Sequence, residues 1–168
     1  VSAEGATIRA LTSAGAFYGS QTLRQLMSTK SGAVPCVTIQ DEPRYAWCGL
    51  MLDVSRHFFD KATLLQMLDR MGEYKLNRFH LHLTDDSAWR FAIDKHPALT
   101  ATGARGNYSN SNAPAQFFTK SELHEIVRYA AQRHIVVVPE IDMPGHAGAA
   151  TRSYPELDGG ANTFNPAK

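Results

Sequence analysis

With 168 residues, the chain is ample for one domain and short for two. It is 43% hydrophobic and 20% charged, which excludes disordered, collagenous and low-complexity classes, and its 17 Lys plus Arg against 16 Asp plus Glu advertise neither nucleic acid nor an anionic membrane. No apolar run approaches the roughly 18–20 residues that span a bilayer, Val1 to Ala10 lacks the basic start and apolar block of a signal peptide, and Cys36 and Cys48 suit neither a disulfide scaffold nor a metal-ligand spacing.

The stretch from Val1 to Pro43 reads differently from the rest of the chain. Ala6 to Leu11 alternates weakly, as a strand would, and Ser13-Ala14-Gly15 reads as a break. Phe17, Thr22, Leu23, Leu26 and Met27 mark a helix ending before Ser31-Gly32. Val34 to Ile39, with Pro35 inside it, reads as an edge strand or connector, and Asp41-Glu42-Pro43 as a linker. From Gly49 the pattern becomes regular. Gly49 to Val54 is an apolar run with Asp53 near its end, typical of a parallel strand buried on both faces. Asp60 suits the N-cap of a helix that carries Leu64, Met67, Leu68 and Met71 at helical spacing. A second strand is predicted from Arg78 to Leu83, where Phe79, Leu81 and Leu83 alternate with His80 and His82.

The segment from Thr84 to Phe118 carries Gly103, Gly106 and Pro114 and reads as a long functional loop. It includes an Asn107-Tyr108-Ser109 sequon, a weak signal by itself. Thr119 and Glu122 then form a capping box, with Phe118 and Leu123 at staple positions. Leu123, Ile126, Val127 and Ala130 define the buried face of the next helix. A third strand, Ile135 to Val138, ends at Pro139-Glu140. Strand, helix, strand, helix, strand predicts a parallel sheet with right-handed crossovers.

Each strand is succeeded by ionisable residues: Asp53, Arg56 and His57; Asp85, Asp86 and Arg90; Glu140, Asp142 and His146. In a parallel sheet these clusters converge on one rim, where α/β folds place their active sites. Plainer readings stand beside this one. Asp53 suits a loop anchor, Trp89 a wall of the long loop, and Arg56 either a structural ion pair or an orienter of hydroxyls and carboxylates. His80 and His82 point one way, into a polar layer, and two such histidines on one strand can also share a metal. Asp85 and His146 form the pair best suited to catalysis, because a carboxylate on one ring nitrogen fixes the tautomer and aims the other nitrogen at a third group. The plain alternative for them is a buried ion pair. Pro144-Gly145-His146 supplies a turn that presents the histidine over the rim. No glycine-rich phosphate loop and no G-x-S-x-G elbow is present.

These residues resemble a known family. Gly49-Leu50-Met51-Leu52-Asp53-Val54-Ser55-Arg56-His57-Phe58 is similar to the start of the catalytic barrel in glycoside hydrolase family 20, the β-N-acetylhexosaminidases. Lys75 to Asp86 resembles its second strand and Pro139 to His146 its third, and Tyr154-Pro155-Glu156-Leu157 and Asn165-Pro166 continue the likeness. Gly15 to Leu23 resembles the end of the small domain that precedes this barrel. The resemblance implies an α/β fold: a partial (β/α)8 TIM barrel of about the first three strand–helix units, preceded by the tail of a small α+β domain. Residues 1–43 would be the tail and linker, and 44–168 the front of the catalytic domain.

The same resemblance implies a retaining exo-β-N-acetylhexosaminidase acting on N-acetylhexosamine-terminated glycans or chitooligosaccharides. The substrate's own 2-acetamido oxygen serves as nucleophile, and no metal or organic cofactor takes part. A secreted, periplasmic or lysosomal compartment is implied as well. Arg56 corresponds to the arginine that holds the sugar ring hydroxyls, Asp85 to the carboxylate that bonds His146, and His146 to the imidazole that contacts the acid glutamate. Asp53, Asp86, Glu140 and Asp142 fall around them. The sequence departs from the family in one respect: the H-x-G-G-D-E type motif that carries the Asp–Glu pair is absent. The reading is therefore of a truncated catalytic domain, inactive by itself. Its rivals are a metal-dependent barrel hydrolase using His80 and His82, and a non-catalytic carbohydrate-binding domain.

Overall fold

A computed structural model describes residues 1–28 and 33–159 of the chain; Ser31-Gly32, before which the first helix is expected to end, and the Asn165-Pro166 motif lie outside the described residues. The regular part is a sheet of three parallel strands in the order β1 (Gly49–Asp53), β2 (Arg78–His82), β3 (Val136–Glu140). The crossovers carry α2 (Lys61–Glu73) between β1 and β2, and α3 (Ala98–Ala101) and α4 (Lys120–Ala131) between β2 and β3. Ahead of the sheet lies α1 (Ser13–Met27), and after it α5 (Gly148–Ser153) and a short 3-10 turn at Pro155–Asp158.

The helix starts obey their local chemistry. Asp60 Oδ1 accepts from the backbone N–H of Thr63 at 2.9 Å and from its hydroxyl at 2.7 Å, satisfying a donor that the first turn leaves open. The capping box at α4 is complete: Thr119 Oγ1 accepts from the Glu122 N–H, and Glu122 Oε2 accepts from the Thr119 N–H. Leu64, Leu68 and Met71 of α2 and Ile126 and Ala130 of α4 are buried against the sheet. Between the two helices, Lys61 pairs with Glu125 at 2.6 Å, and Asp69 accepts from Tyr129 and Arg133.

Because side chains alternate along a strand, the register divides the sheet into two faces. Leu52, Phe79, Leu81 and Val137 turn toward α2 and α4 and form the main core; full burial of each such side chain is worth about 1.5–3 kcal/mol. The opposite face carries Met51, His80 and Val138 in one transverse row and Asp53, His82 and Glu140 in the next.

Several local expectations are corrected. Ala6 to Leu11 forms no strand, and of the two readings of Val34 to Ile39 the connector holds, tied to the amino terminus by two hydrogen bonds between Val1 and Val37. Ser13 to Gly15 is not a break but the first turn of α1, capped by Thr12, whose Oγ1 accepts from the Gly15 N–H at 3.0 Å. The third strand starts one residue later than read, at Val136, and ends at Glu140. β1 is not buried on both faces, since it forms an edge of the described sheet and Met51 is 46% exposed. Val127 is 51% exposed, outside the buried stripe of α4.

The segment from Thr84 to Phe118 is ordered around one side chain. Arg90 is fully buried, and its five N–H bonds go to the carbonyls of Val54, Ser55, Ala104, Gly106 and Gln116 at 2.8–3.0 Å. That uses the whole donor inventory of a guanidinium. Burial pushes its pKa down to about 10, so it stays charged at neutral pH. Arg90 thus leaves the polar rim cluster in which its sequence position put it. Trp89 is buried beside Phe91, its ring stacked at 4.9 Å, and does wall the loop.

Candidate active site

The carboxyl ends of the three strands meet on one rim, and their polar side chains form a connected network. Its centre is the row Asp53, His82, Glu140, brought level by the strand register. His82 is buried, with Nδ1 2.8 Å from Glu140 Oε2 and Nε2 2.9 Å from Asp85 Oδ2. His80, two residues earlier on the same face, places Nε2 2.7 Å from the same Glu140 oxygen. The two histidines do share a polar layer, as the alternation in β2 predicts.

Arg56 closes the network from the β1 side. Its Nη1 donates to Asp53 Oδ2 at 2.5 Å, and its Nη2 lies 2.6 Å from Asp85 Oδ2. Asp53 in turn accepts from the backbone N–H groups of Ser55 and Arg56, both at 2.9 Å. This turn is the loop anchor considered for Asp53, and it also aims Arg56 at Asp85. The arginine side chain remains 36% exposed, with N–H bonds to spare for a bound polar group.

Asp85 and His146, the pair read as best suited to catalysis, do meet, at a longer distance than the other contacts of the network. His146 Nδ1 stands 3.4 Å from Asp85 Oδ1 and 4.0 Å from Asp86 Oδ2, so Asp85 has two closer partners in Arg56 and His82. His146 is 54% exposed and adopts φ +56°, a conformation that side-chain-bearing residues rarely take. Asp86 is tied down through its other oxygen: Oδ1 accepts from the Gly148 N–H at 2.9 Å, a position where a Cβ would clash with the same oxygen. Its N–H donates to Asp85 Oδ1 at 2.7 Å. Asp142 is half-buried, and its N–H donates to Thr84 Oγ1 at 3.2 Å.

The electrostatics arise from these contacts. For His82, burial disfavours the charged ring, but hydrogen bonds to Glu140 and Asp85 and the nearby Asp53 outweigh it and raise the pKa above the ordinary imidazole range. The hydrogen bond to His82 holds the Glu140 carboxyl below its usual range, against a smaller burial effect. Burial pushes Asp53 up, and the Arg56 backbone N–H and guanidinium reverse this and leave it low.

Ligand-capable atoms of His82, Glu140 and Asp142 lie within 4.8 Å of one another, as do those of Asp85, Asp86 and His146. The imagined metal pair of His80 and His82 is differently engaged, because both ring nitrogens of His82 already meet carboxylates. Reading the sequence by strand order missed His82 as the partner of Asp85. The available signal was parity: His80 and His82 share the face of β2 opposite Phe79 and Leu81, and Asp53, His82 and Glu140 fall in one row once the strands are paired.

Comparison with known proteins finds one family along the chain. The family model described as glycosyl hydrolase family 20, catalytic domain, matches residues 45–166, and the one described as domain 2 of that family matches residues 1–42. A beta-hexosaminidase from Porphyromonas gingivalis is 42% identical over 96% of this chain and 22% of its own length. Another, from Akkermansia muciniphila, is 44% identical over 94% of this chain and 33% of its own. Among solved structures, a mutant Streptomyces plicatus beta-hexosaminidase in complex with the product GlcNAc superimposes with a TM-score of 0.79 at 50% identity, covering 86% of this chain and 30% of that one. The chain thus spans a third or less of the length of these proteins.

Proposed function

The chain belongs to glycosyl hydrolase family 20, and from that premise we propose that it supplies one side of the sugar pocket of a retaining exo-β-N-acetylhexosaminidase. Residues 1–43 are read as the end of the small α+β domain with its linker, and residues 44–168 as the front of the (β/α)8 barrel. The observation that carries the reading is the meeting of Arg56, Asp85 and His146 on one rim, joined by contacts of 2.6 and 3.4 Å.

In this reaction the 2-acetamido oxygen of the substrate attacks the anomeric carbon as the bond to the leaving oxygen breaks, and an acid glutamate protonates that oxygen. Water then opens the oxazolinium intermediate, handing its proton back to the glutamate. The H-x-G-G-D-E type motif expected to supply the glutamate is absent from these 168 residues. What they contribute is placement. Arg56, held between Asp53 and Asp85, presents its remaining N–H bonds to ring hydroxyls and fixes the sugar relative to the acid. Asp85 and His146 support the acid glutamate, while Asp53, Asp86, Glu140 and Asp142 hold that support in place. The substrates are terminal N-acetylglucosamine or N-acetylgalactosamine residues of glycans or chitooligosaccharides, and the compartment is secreted, periplasmic or lysosomal. Among the described residues, no helix is long and apolar enough to cross a membrane.

The reading is tested in the full-length protein with a chromogenic N-acetyl-β-glucosaminide, tracking the anomeric configuration of the product by proton NMR. Retention of the β configuration is expected. Arg56→Ala is expected to lower kcat/KM about a hundredfold or more, through lost positioning. Inversion, or an Arg56→Ala variant with unchanged kinetics, overturns it.

A further inference from the structure

His82 is buried, deeper than the half-open Arg56 and His146, yet it is the hinge of the network. Its Nδ1 meets Glu140 Oε2 at 2.8 Å, and its Nε2 meets Asp85 Oδ2 at 2.9 Å. A neutral imidazole has one donor and one acceptor nitrogen. Between two ionised carboxylates, a neutral ring would set lone pair against lone pair on one side, in a buried site where an unmade hydrogen bond is costly. The contacts therefore need a proton on each ring nitrogen, unless one carboxyl carries the proton instead.

The surrounding charges decide between these. Asp53 and Arg56 face the site from β1 and its loop, His80 from β2, Asp85 from the loop beyond β2, Glu140 from β3 and Asp142 from the loop beyond it. Arg56 is already shared between Asp53 and Asp85, which leaves Glu140 without a permanent cation within salt-bridge distance among the described residues. A positive His82 supplies one and is shared with Asp85. The elevated proton affinity of His82 and the lowered one of Glu140 agree with that arrangement.

We propose that His82 is a positioning residue: a buried imidazolium that bridges Glu140 and Asp85, pins Asp85 Oδ2 beside Arg56, and leaves Asp85 Oδ1 facing His146. The inference rests on the hydrolase reading for its catalytic consequence. The arginine that orders the sugar and the histidine that supports the acid would then be referred to one carboxylate, and that carboxylate is locked from behind by His82. Glu140 and His80 act one step further back, Glu140 as the anchor of His82 and His80 as the second group on the anchor.

The experiment is nitrogen NMR of the full-length protein labelled at histidine, with His82→Asn used to assign the signal. Both ring nitrogens of His82 are expected to be protonated at about pH 7, and a neutral tautomer at that pH overturns the proposal. In kinetics, His82→Asn is expected to lower kcat about a hundredfold, with KM changed by less than about threefold. It should also reshape the alkaline limb of the kcat–pH profile. A merely structural role would scale the profile without changing its shape, and a variant profile that superimposes on the parent also overturns the proposal. If the variant does not fold, the parent's NMR signal still decides, with the His82 ring assigned through its bonds to its own sequentially assigned backbone. A neutral His82 in an active parent strikes the proton bridge alone, whereas an inactive parent strikes the hydrolase reading.

Discussion

Phe79 and His80 are neighbours in the chain and stand on opposite sides of β2, where they meet two different kinds of interior. On the helix side, Phe79 and Leu81 are buried among Leu64, Leu68 and Ile126, and the contacts are non-directional and tolerant of exchange at constant volume. On the other side, His80 and His82 meet Glu140 and Asp85 at 2.7–2.9 Å, and every contact depends on which atom carries a proton. The one strand thus separates what holds the protein together from what it does. Damage to the first face should appear as lost stability with unchanged chemistry, and damage to the second as altered chemistry or altered response to pH.

The largest effect expected from this division is all-or-none. The polar face of these 168 residues lacks the Asp–Glu motif, so the polypeptide assayed alone should turn over no chromogenic N-acetyl-β-glucosaminide; measurable turnover would break the assignment of that face. Next comes Phe79→Ala, which should destabilise the folded protein by about 3–4 kcal/mol through lost burial and a residual cavity. Urea melts at several pH values should show this as a uniform shift, and a change in the shape of the pH dependence would mean that the two faces are coupled. Thr119→Ala, on neither face, should cost about 1 kcal/mol by removing one half of the capping box, read in the same melts and with no kinetic consequence.

The smallest effect has its sign fixed by linkage. His82 binds its proton more tightly folded than unfolded, so its stabilising contribution is complete below the unfolded value of about 6.5. It is lost as pH rises through the elevated folded value. Glu140 and Asp53 bind theirs less tightly when folded, so their contribution is present above the ordinary carboxylate range and disappears on acidification. Melting temperature should therefore fall on both sides of a plateau. His82→Asn should flatten the alkaline fall, and a variant that keeps it places that titration elsewhere.

Much of the architecture could be read from the residues because it is written in local chemistry. The capping box at Thr119 and Glu122, the cap at Asp60 and the alternation through Phe79 and Leu81 need only neighbours in sequence. The gathering of Asp53, Asp85 and Glu140 on one rim needed only the inference that the strands are parallel. What stayed hidden depends on pairing and burial. Whether Asp85 turns to His82 or to His146 is settled by the register of β1, β2 and β3 and by the course of the chain after Thr84. Arg90 misled because a charge near a rim reads as solvent-facing, while the fold gives its side chain a set of carbonyls that no pattern announces. Val127 misled because a helical stripe can be one residue wider in sequence than in contact. Ala6 to Leu11 alternates but pairs with nothing among the described residues, and alternation without a partner makes no strand.

The way Arg90 gathers the long segment has a consequence for how that segment can change. Its tethers attach at residues 104, 106 and 116, while the stretch from Asn107 to Asn112 lies beyond them, closed by its own short bonds, including those from Ser109 and Asn110 to Asn107. The backbone of this tip touches the rim at Tyr108, whose N–H donates to the Arg56 carbonyl at 2.8 Å. One spoke-like cation therefore separates a fixed base from a lightly held tip. Side-chain changes there that spare the Tyr108 bond can alter the tip without disturbing the sheet beneath, which makes residues 109–112 a natural place for a grafted reporter.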